Sequence, residues 1–150
     1  MKPESFELIT KPFEELTTAE LYEILKARVD VFVVEQNCPY HELDDLDQKS
    51  FHSVLRDEAG RLCAYLRFFE REEGVFQIGR VLTLSRGTGC GGCLLHEAVE
   101  RLKKMEGVRM IYLEAQTYAA GFYEKEGFQV VSEPFDEDGI PHVVMIQNVR

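Results

Sequence analysis

Four glycines fall within positions 87–92, in the run Arg86-Gly87-Thr88-Gly89-Cys90-Gly91-Gly92, between a strand-like stretch and a helix-like one. The preceding IGRVLTL is apolar and branched, whereas Leu94, Leu95, Ala98, Val99 and Leu102 recur at helical spacing after it. Glycines there remove Cβ atoms where a ligand must approach the main chain closely. Successive amides backed by a helix N-terminus form a concave set of N–H donors suited to an anion, with a pyrophosphate the natural candidate. A P-loop hydrolase needs Lys and Ser/Thr directly after its last glycine; Cys93 and Leu94 stand there, which excludes it. Gly87, Gly89 and Gly92 do satisfy G-x-G-x-x-G, and Glu114 follows about 20 residues on, as in a dinucleotide site. Against that rival, the upstream chain reads as a helix and an antiparallel meander, and too little chain follows Glu114.

The chain reads as one unit, residues 1–150, with no repeat, linker or low-complexity tract. A strand is expected around residues 6–9, ended by Pro12. Thr17-Thr18-Ala19-Glu20 resembles a capping box, and Leu21, Ile24, Leu25 and residues 28–32 continue at helical spacing towards Glu35. An acidic stretch follows, with His41, Glu42, Asp44, Asp45 and Asp47; its spacing fits no specific metal site, and a solvated loop is expected. FHSVLRD, LCAYLRFFE and VFQIGRVLTL read as three antiparallel strands. After the glycine run and its helix, Gly107 is a stop, RMIYLEA a strand, and residues 119–125 a short helix. FQVVSE and HVVMIQNV close the chain as two strands joined through residues 134–141. The order implies an α/β (α+β) domain with a mixed sheet flanked by helices.

At 150 residues, 45% hydrophobic and 29% charged, the composition is that of an ordinary soluble domain. No apolar run reaches the roughly 18 residues of a membrane span, and MKPESFELIT lacks the apolar core of a secretory signal. A cytoplasmic location is therefore expected. The formal net charge of −10 disfavours phosphate backbones, hence nucleic acid, and weakly favours cationic partners such as amines. Cys90 and Cys93 form a C-x-x-C pair, but no second pair exists to complete a four-thiolate zinc site.

Motifs well separated along the chain bring a resemblance into view. Arg86, Gly89 and Gly91 match Arg-x-x-Gly-x-Gly. Gln116-Thr117-Tyr118-Ala119-Ala120-Gly121-Phe122-Tyr123, running on to Gly127-Phe128, matches Asn-x-x-Ala-x-x-Phe-Tyr-x-x-x-Gly-Phe. In this order they resemble the GNAT superfamily of N-acetyltransferases, and VFVVEQNCPY and EDGIPH are similar to its ElaA-like branch. The resemblance implies a twisted sheet of about six or seven strands with a splayed parallel pair. It implies acetyl-CoA as co-substrate, direct acetyl transfer to an amine, no metal, and a domain of a kind that often forms homodimers.

By the same resemblance, the amides of Arg86, Gly87, Thr88, Gly89, Cys90 and Gly91, with Gly92 alongside, would hold the pyrophosphate. Backbone groups of Leu82 and Thr83 would pair with the pantetheine arm, and Gln116 would replace the family asparagine against it. Tyr123 matches the tyrosine that protonates the departing sulfur. A lysine-type amine has a pKa near ~10.4, so something must take its proton; Glu35 and Glu114 are the carboxylate candidates, with His52 and His142 as further ones. His96 is expected on an exposed helix face, and Arg80 either in the acceptor cleft or between strands. Residues 81–85 separate Arg80 from Arg86, a shorter spacing than the family pattern, which implies a tighter turn.

Overall fold

Helix formation starts where side chains can satisfy the free amides of a first turn. In the computed structural model, which describes residues 6–149, the Glu20 amide donates to Thr17 Oγ1 at 3.1 Å. The Thr17 amide donates back to Glu20 Oε1 at 2.8 Å. This reciprocal cap opens α1 (Thr18–Arg28). Residues 1–5 of the N-terminal stretch lie outside the described residues. The first strand, β1, takes Glu7–Pro12, so Pro12 is its last residue. Beyond Arg28 the helix widens into a π-helical segment, Val29–Glu35, which helical spacing alone did not foretell.

Strands β2 (Phe51–Arg56), β3 (Leu62–Glu72) and β4 (Val75–Thr83) follow as the expected antiparallel meander. Next come α2 (Cys90–Lys104), β5 (Met110–Gln116) and the short α3 (Ala120–Glu124). Gly107 takes φ +87° between α2 and β5. The end of the chain holds β6 (Gln129–Val130), β7 (Phe135–Glu137) and β8 (Ile140–Asn148). β7 lies within the expected connector. Asp138 and Gly139, both at positive φ, turn β7 back onto β8, an Asp-Gly hairpin of the twist-matched kind.

The sheet runs β1-β2-β3-β4-β5-β8-β6, with β7 on β8. Among the described strands, only β4 and β5 pair in parallel. A dinucleotide fold opens a largely parallel sheet with the strand before its glycine turn; here that strand, β4, ends an antiparallel meander and has a single parallel neighbour, β5, so the rival reading fails. One face of the sheet packs on α2 through Leu94, Leu95, Ala98, Val99 and Leu102, against Leu66, Phe68, Ile78 and Ile111. A smaller cluster under α1 joins Ile24 and Ala27 to Val54, Tyr65 and Leu82. β3 is therefore buried on both faces, which explains its nearly continuous apolar sequence.

Candidate active site

The two parallel strands part company early. β4 and β5 pair from Val75↔Met110 to Gln77↔Tyr112, and no further pairing joins them, although β4 runs on to Thr83 and β5 to Gln116. A bulge accompanies the parting: opposite β3 the register jumps between Gly79 and Leu82, with Arg80 at φ +54°. A bulge bends and over-twists its strand, turning β4 away from its neighbour. Between the parted strands lies a cleft of about 530 Å³, also walled by Glu35, Gln36, Tyr118, Tyr123 and the β7–β8 hairpin. Period-2 alternation buries Ile111, Leu113 and Ala115 of β5, leaving Tyr112, Glu114 and Gln116 together on its other face. Leu82 is buried and Thr83 half-buried, on the β4 segment whose β5-side edge has lost its partner.

At the end of β4 the glycines make a tight turn. The Leu84 amide still bonds Cys63 O at 2.7 Å, and Thr88 Oγ1 donates to Ser85 O at 2.7 Å. Gly87 and Gly89 both take φ +78°, and a Cβ on either would meet nothing within 4 Å. Gly89 is the N-cap of α2 and no side chain caps that helix, so the amides of Cys90, Gly91 and Gly92 lack intrahelical acceptors. Gly91 has a different reason to be glycine: a Cβ there would lie 2.4 Å from Thr83 Cγ2. Cys90 is buried, its Sγ 3.4 Å from Ser85 O and 3.5 Å from Cys63 O. Cys93 is half-buried, and burial with nearby Glu97 pushes its thiol pKa up, away from the reactive thiolate.

The other expected residues gather around the same cleft. Glu35 forms an ion pair with Arg86, joining the π-segment to the glycine turn. Gln116 donates through Nε2 to Gln36 Oε1 at 3.2 Å. Glu114 accepts from the Tyr112 hydroxyl at 2.7 Å, and burial together with this carboxylate pushes Tyr112 up to about 12. Tyr123 packs edge-on to Phe122 at 5.1 Å and Phe128 at 6.2 Å. Burial raises its pKa above the ordinary tyrosine value, and among the described residues its hydroxyl has no hydrogen-bond partner.

The acidic stretch is not the solvated loop that its composition suggests. Glu42 and Asp47 are buried, as are Arg28 and Arg67. Arg28 donates to Glu42 at 2.7 Å and Asp47 at 2.6 Å; Arg67 reaches Asp47 at 2.8 Å and pairs with Asp44. Arg80, lifted by the bulge, bonds Glu42 Oε2 at 2.7 Å and Asp44 Oδ2 at 3.2 Å. Three guanidinium groups thus face three carboxylates under one wall of the cleft; Arg80 lines the cleft and ties β4 to the acidic segment rather than to another strand. Burial alone would raise Asp44, but Arg67 and Arg80 outweigh it and hold its pKa at about 2. Among the described residues no group of His, Cys, Asp and Glu is placed to hold a metal.

The family profile described as Acetyltransferase (GNAT) domain matches residues 17–148. This chain belongs to the GNAT acetyltransferase family. Protein ElaA of Escherichia coli is 37% identical over 141 residues, covering 90% of this chain and 92% of ElaA. The crystal structure of that protein superposes with a TM-score of 0.86, over 95% of this chain and 99% of the other. An acyl-CoA N-acyltransferase of Pseudomonas aeruginosa is similar at 39% identity with a TM-score of 0.87, again over 95% and 99% of the two chains. The mixed sheet with its splayed pair is thus the GNAT fold, and the likeness to ElaA bears out that branch of the resemblance. Members of this family are generally N-acetyltransferases that use acetyl-CoA or CoA as co-substrate. No described helix is long and apolar enough to cross a membrane.

In this GNAT chain the histidines divide sharply. His52 is buried between the Tyr65 hydroxyl, 2.6 Å from Nδ1, and the Asp47 carbonyl, 2.9 Å from Nε2; burial lowers its pKa, and both ring nitrogens are occupied. It is a structural cross-link of β2 and β3 to the acidic segment. His96 lies exposed on α2 beside Glu126, as expected. His142 lines the cleft, with Nδ1 donating to Ile140 O at 2.8 Å and Nε2 3.4 Å from Glu137 Oε2. Sequence reasoning gave no role to Glu137, Tyr40 or Arg67, all of which line the cleft. An Asp-Gly pair between apolar runs is a strong hairpin signal and would have placed Glu137 opposite Ile140. No local signal marks Arg67, whose partners are distant in sequence.

Proposed function

We propose that this chain, acting as one domain over residues 1–150, is an acetyl-CoA-dependent N-acetyltransferase of the cytoplasm that acetylates a primary amine. The observation that carries this reading is the parting of β4 and β5 directly beside an uncapped helix start. The amides of Arg86, Gly87, Thr88, Gly89, Cys90 and Gly91, with Gly92 alongside, face the diphosphate of the co-substrate, where the open space at Gly87 and Gly89 admits it. The pantetheine arm lies along the unpartnered edge of β4 at Leu82 and Thr83, as an added strand would, with Gln116 across the cleft.

The amine nitrogen attacks the acetyl carbonyl carbon, a C–N bond forms, and the C–S bond breaks with its electron pair on sulfur. A backbone amide near Leu82 stabilises the charge that develops on the carbonyl oxygen. Tyr123 supplies the proton to sulfur; its raised pKa keeps the phenol protonated at neutral pH, as an acid requires. Glu35 is engaged by Arg86 and serves the turn, which leaves the Glu114 end of the cleft to receive the amine proton. No metal enters this scheme.

The test is an acceptor screen with acetyl-CoA, following free thiol release, with calorimetry of acetyl-CoA binding alongside. Saturable binding and turnover with an amine support the reading. Binding without turnover on any amine would leave a CoA-binding module, and no binding at millimolar concentration would remove the reading altogether.

A further inference from the structure

The cleft ends on a group of ionisable side chains contributed by two strands and a hairpin. Glu137 closes β7, with its side chain 45% exposed, and lines the cleft. His142 lies beneath it on β8, buried, in contact with the Phe135 ring at 6.1 Å. Because His142 Nδ1–H is spent on the Ile140 carbonyl, Nε2 is the nitrogen turned to Glu137, 3.4 Å from Oε2. From β5, Glu114 lines the same cleft near enough to Glu137 for its charge to act on it, while its own Oε2 accepts from Tyr112. Arg71 stacks on the Tyr112 ring at 4.3 Å, and Asp138 is the next charge along the hairpin. Glu137 therefore faces His142 and Glu114, and Asp138 and Tyr112 complete its ionisable surroundings.

We propose that Glu137 is the catalytic base, taking the proton from the acceptor ammonium, with Glu114 and His142 as positioning residues. The inference rests on the acetyltransferase reading above. In balance, R–NH3+ gives one proton to the Glu137 carboxylate, from which it passes to solvent. The free amine attacks, the second N–H proton leaves as the amide forms, and Tyr123 returns a proton to the departing sulfur. One proton is released per amide made. Partial burial and the adjacent Glu114 raise the pKa of Glu137, moving this carboxylate towards the range where a general base works best.

The experiment uses two amines of similar shape, ethylamine and 2,2,2-trifluoroethylamine, the second far less basic and already uncharged at neutral pH. With the intact protein near pH 7, Glu137→Gln is expected to lower kcat/KM for ethylamine roughly 100-fold. It should leave trifluoroethylamine and acetyl-CoA affinity almost unchanged. Carbon-13 NMR titration of the Glu137 carboxyl gives a readout independent of turnover. Its midpoint should lie above the ordinary glutamate value, fall in Glu114→Gln, and rise in His142→Gln, which removes a group that favours the ionised form. Equal losses for both amines, an unchanged ethylamine rate, or a Glu137 midpoint insensitive to both neighbours would overturn the assignment. A wild-type protein that binds acetyl-CoA yet acetylates no amine in the acceptor screen, these two included, would instead sink the acetyltransferase reading, and this inference with it.

Discussion

Gly89 and Gly91 show how two neighbouring glycines can be required for unrelated reasons. Gly89 sits at φ +78° with open space around it, so its substitution strains the main chain and covers the turn without touching the core. Gly89→Val is expected to weaken acetyl-CoA binding by calorimetry at least tenfold, about 1.4 kcal/mol. Gly91→Ala drives a methyl to 2.4 Å from Thr83 Cγ2 and should destabilise the fold by about 1–3 kcal/mol in urea unfolding. Thr83→Ser removes the opposing methyl, so the double variant should recover most of that loss; an additive result would refute the steric account. Tyr123→Phe keeps both edge-on ring contacts and removes only the hydroxyl group that carries the proton. Turnover should fall roughly 100-fold with acetyl-CoA affinity intact, and an unchanged rate across pH would remove Tyr123 as the acid.

Elements here are held together by charge as well as by apolar contact. α1 is anchored at its start by the Thr17–Glu20 cap, and Thr17→Ala should cost about 1 kcal/mol in thermal or urea unfolding. Its other end carries Arg28, fully buried between Glu42 and Asp47. Removing one member of such a set strands buried charge, so Arg28→Leu is expected to destabilise by about 3–5 kcal/mol. A loss below 1 kcal/mol would mean that Arg67 and Arg80 suffice to balance the three carboxylates. The same network holds Glu42, Asp44 and Asp47 against β3 and β4, behind the part of the cleft wall that Tyr40, Arg67 and Arg80 form.

The whole molecule inherits a pH dependence from these groups. Asp44 has a folded pKa of about 2 against an ordinary 3.8, a depressed carboxylate. Its contribution is present above 3.8 and is lost as pH falls towards about 2, because the unfolded chain then binds the proton that the folded one refuses. His52 acts in the same direction and begins sooner. Held neutral by burial, it is protonated on unfolding as pH drops below its ordinary 6.5. Glu137, whose folded pKa is raised, works the other way above the ordinary carboxylate range, so the expected outcome is a decline of the urea midpoint below 3.8. A plateau through that range would contradict the buried network.

Local order was legible in the residues themselves: the cap at Thr17, the three-strand meander, the α2 stripe and the glycine turn each declare themselves within a few positions. Such features follow from periodicity and from which residues can occupy a tight turn, both short-range properties of the chain. What the tertiary structure decided was pairing. A run rich in aspartate and glutamate reads as solvated until Arg28, Arg67 and Arg80 arrive from a helix and two strands to neutralise it. Glu35 meets Arg86, and Glu137 meets His142 and Glu114, only once the sheet has brought distant segments together. The charge state of a side chain depends on which groups stand within a few ångströms of it, and that is set by the fold of the whole chain.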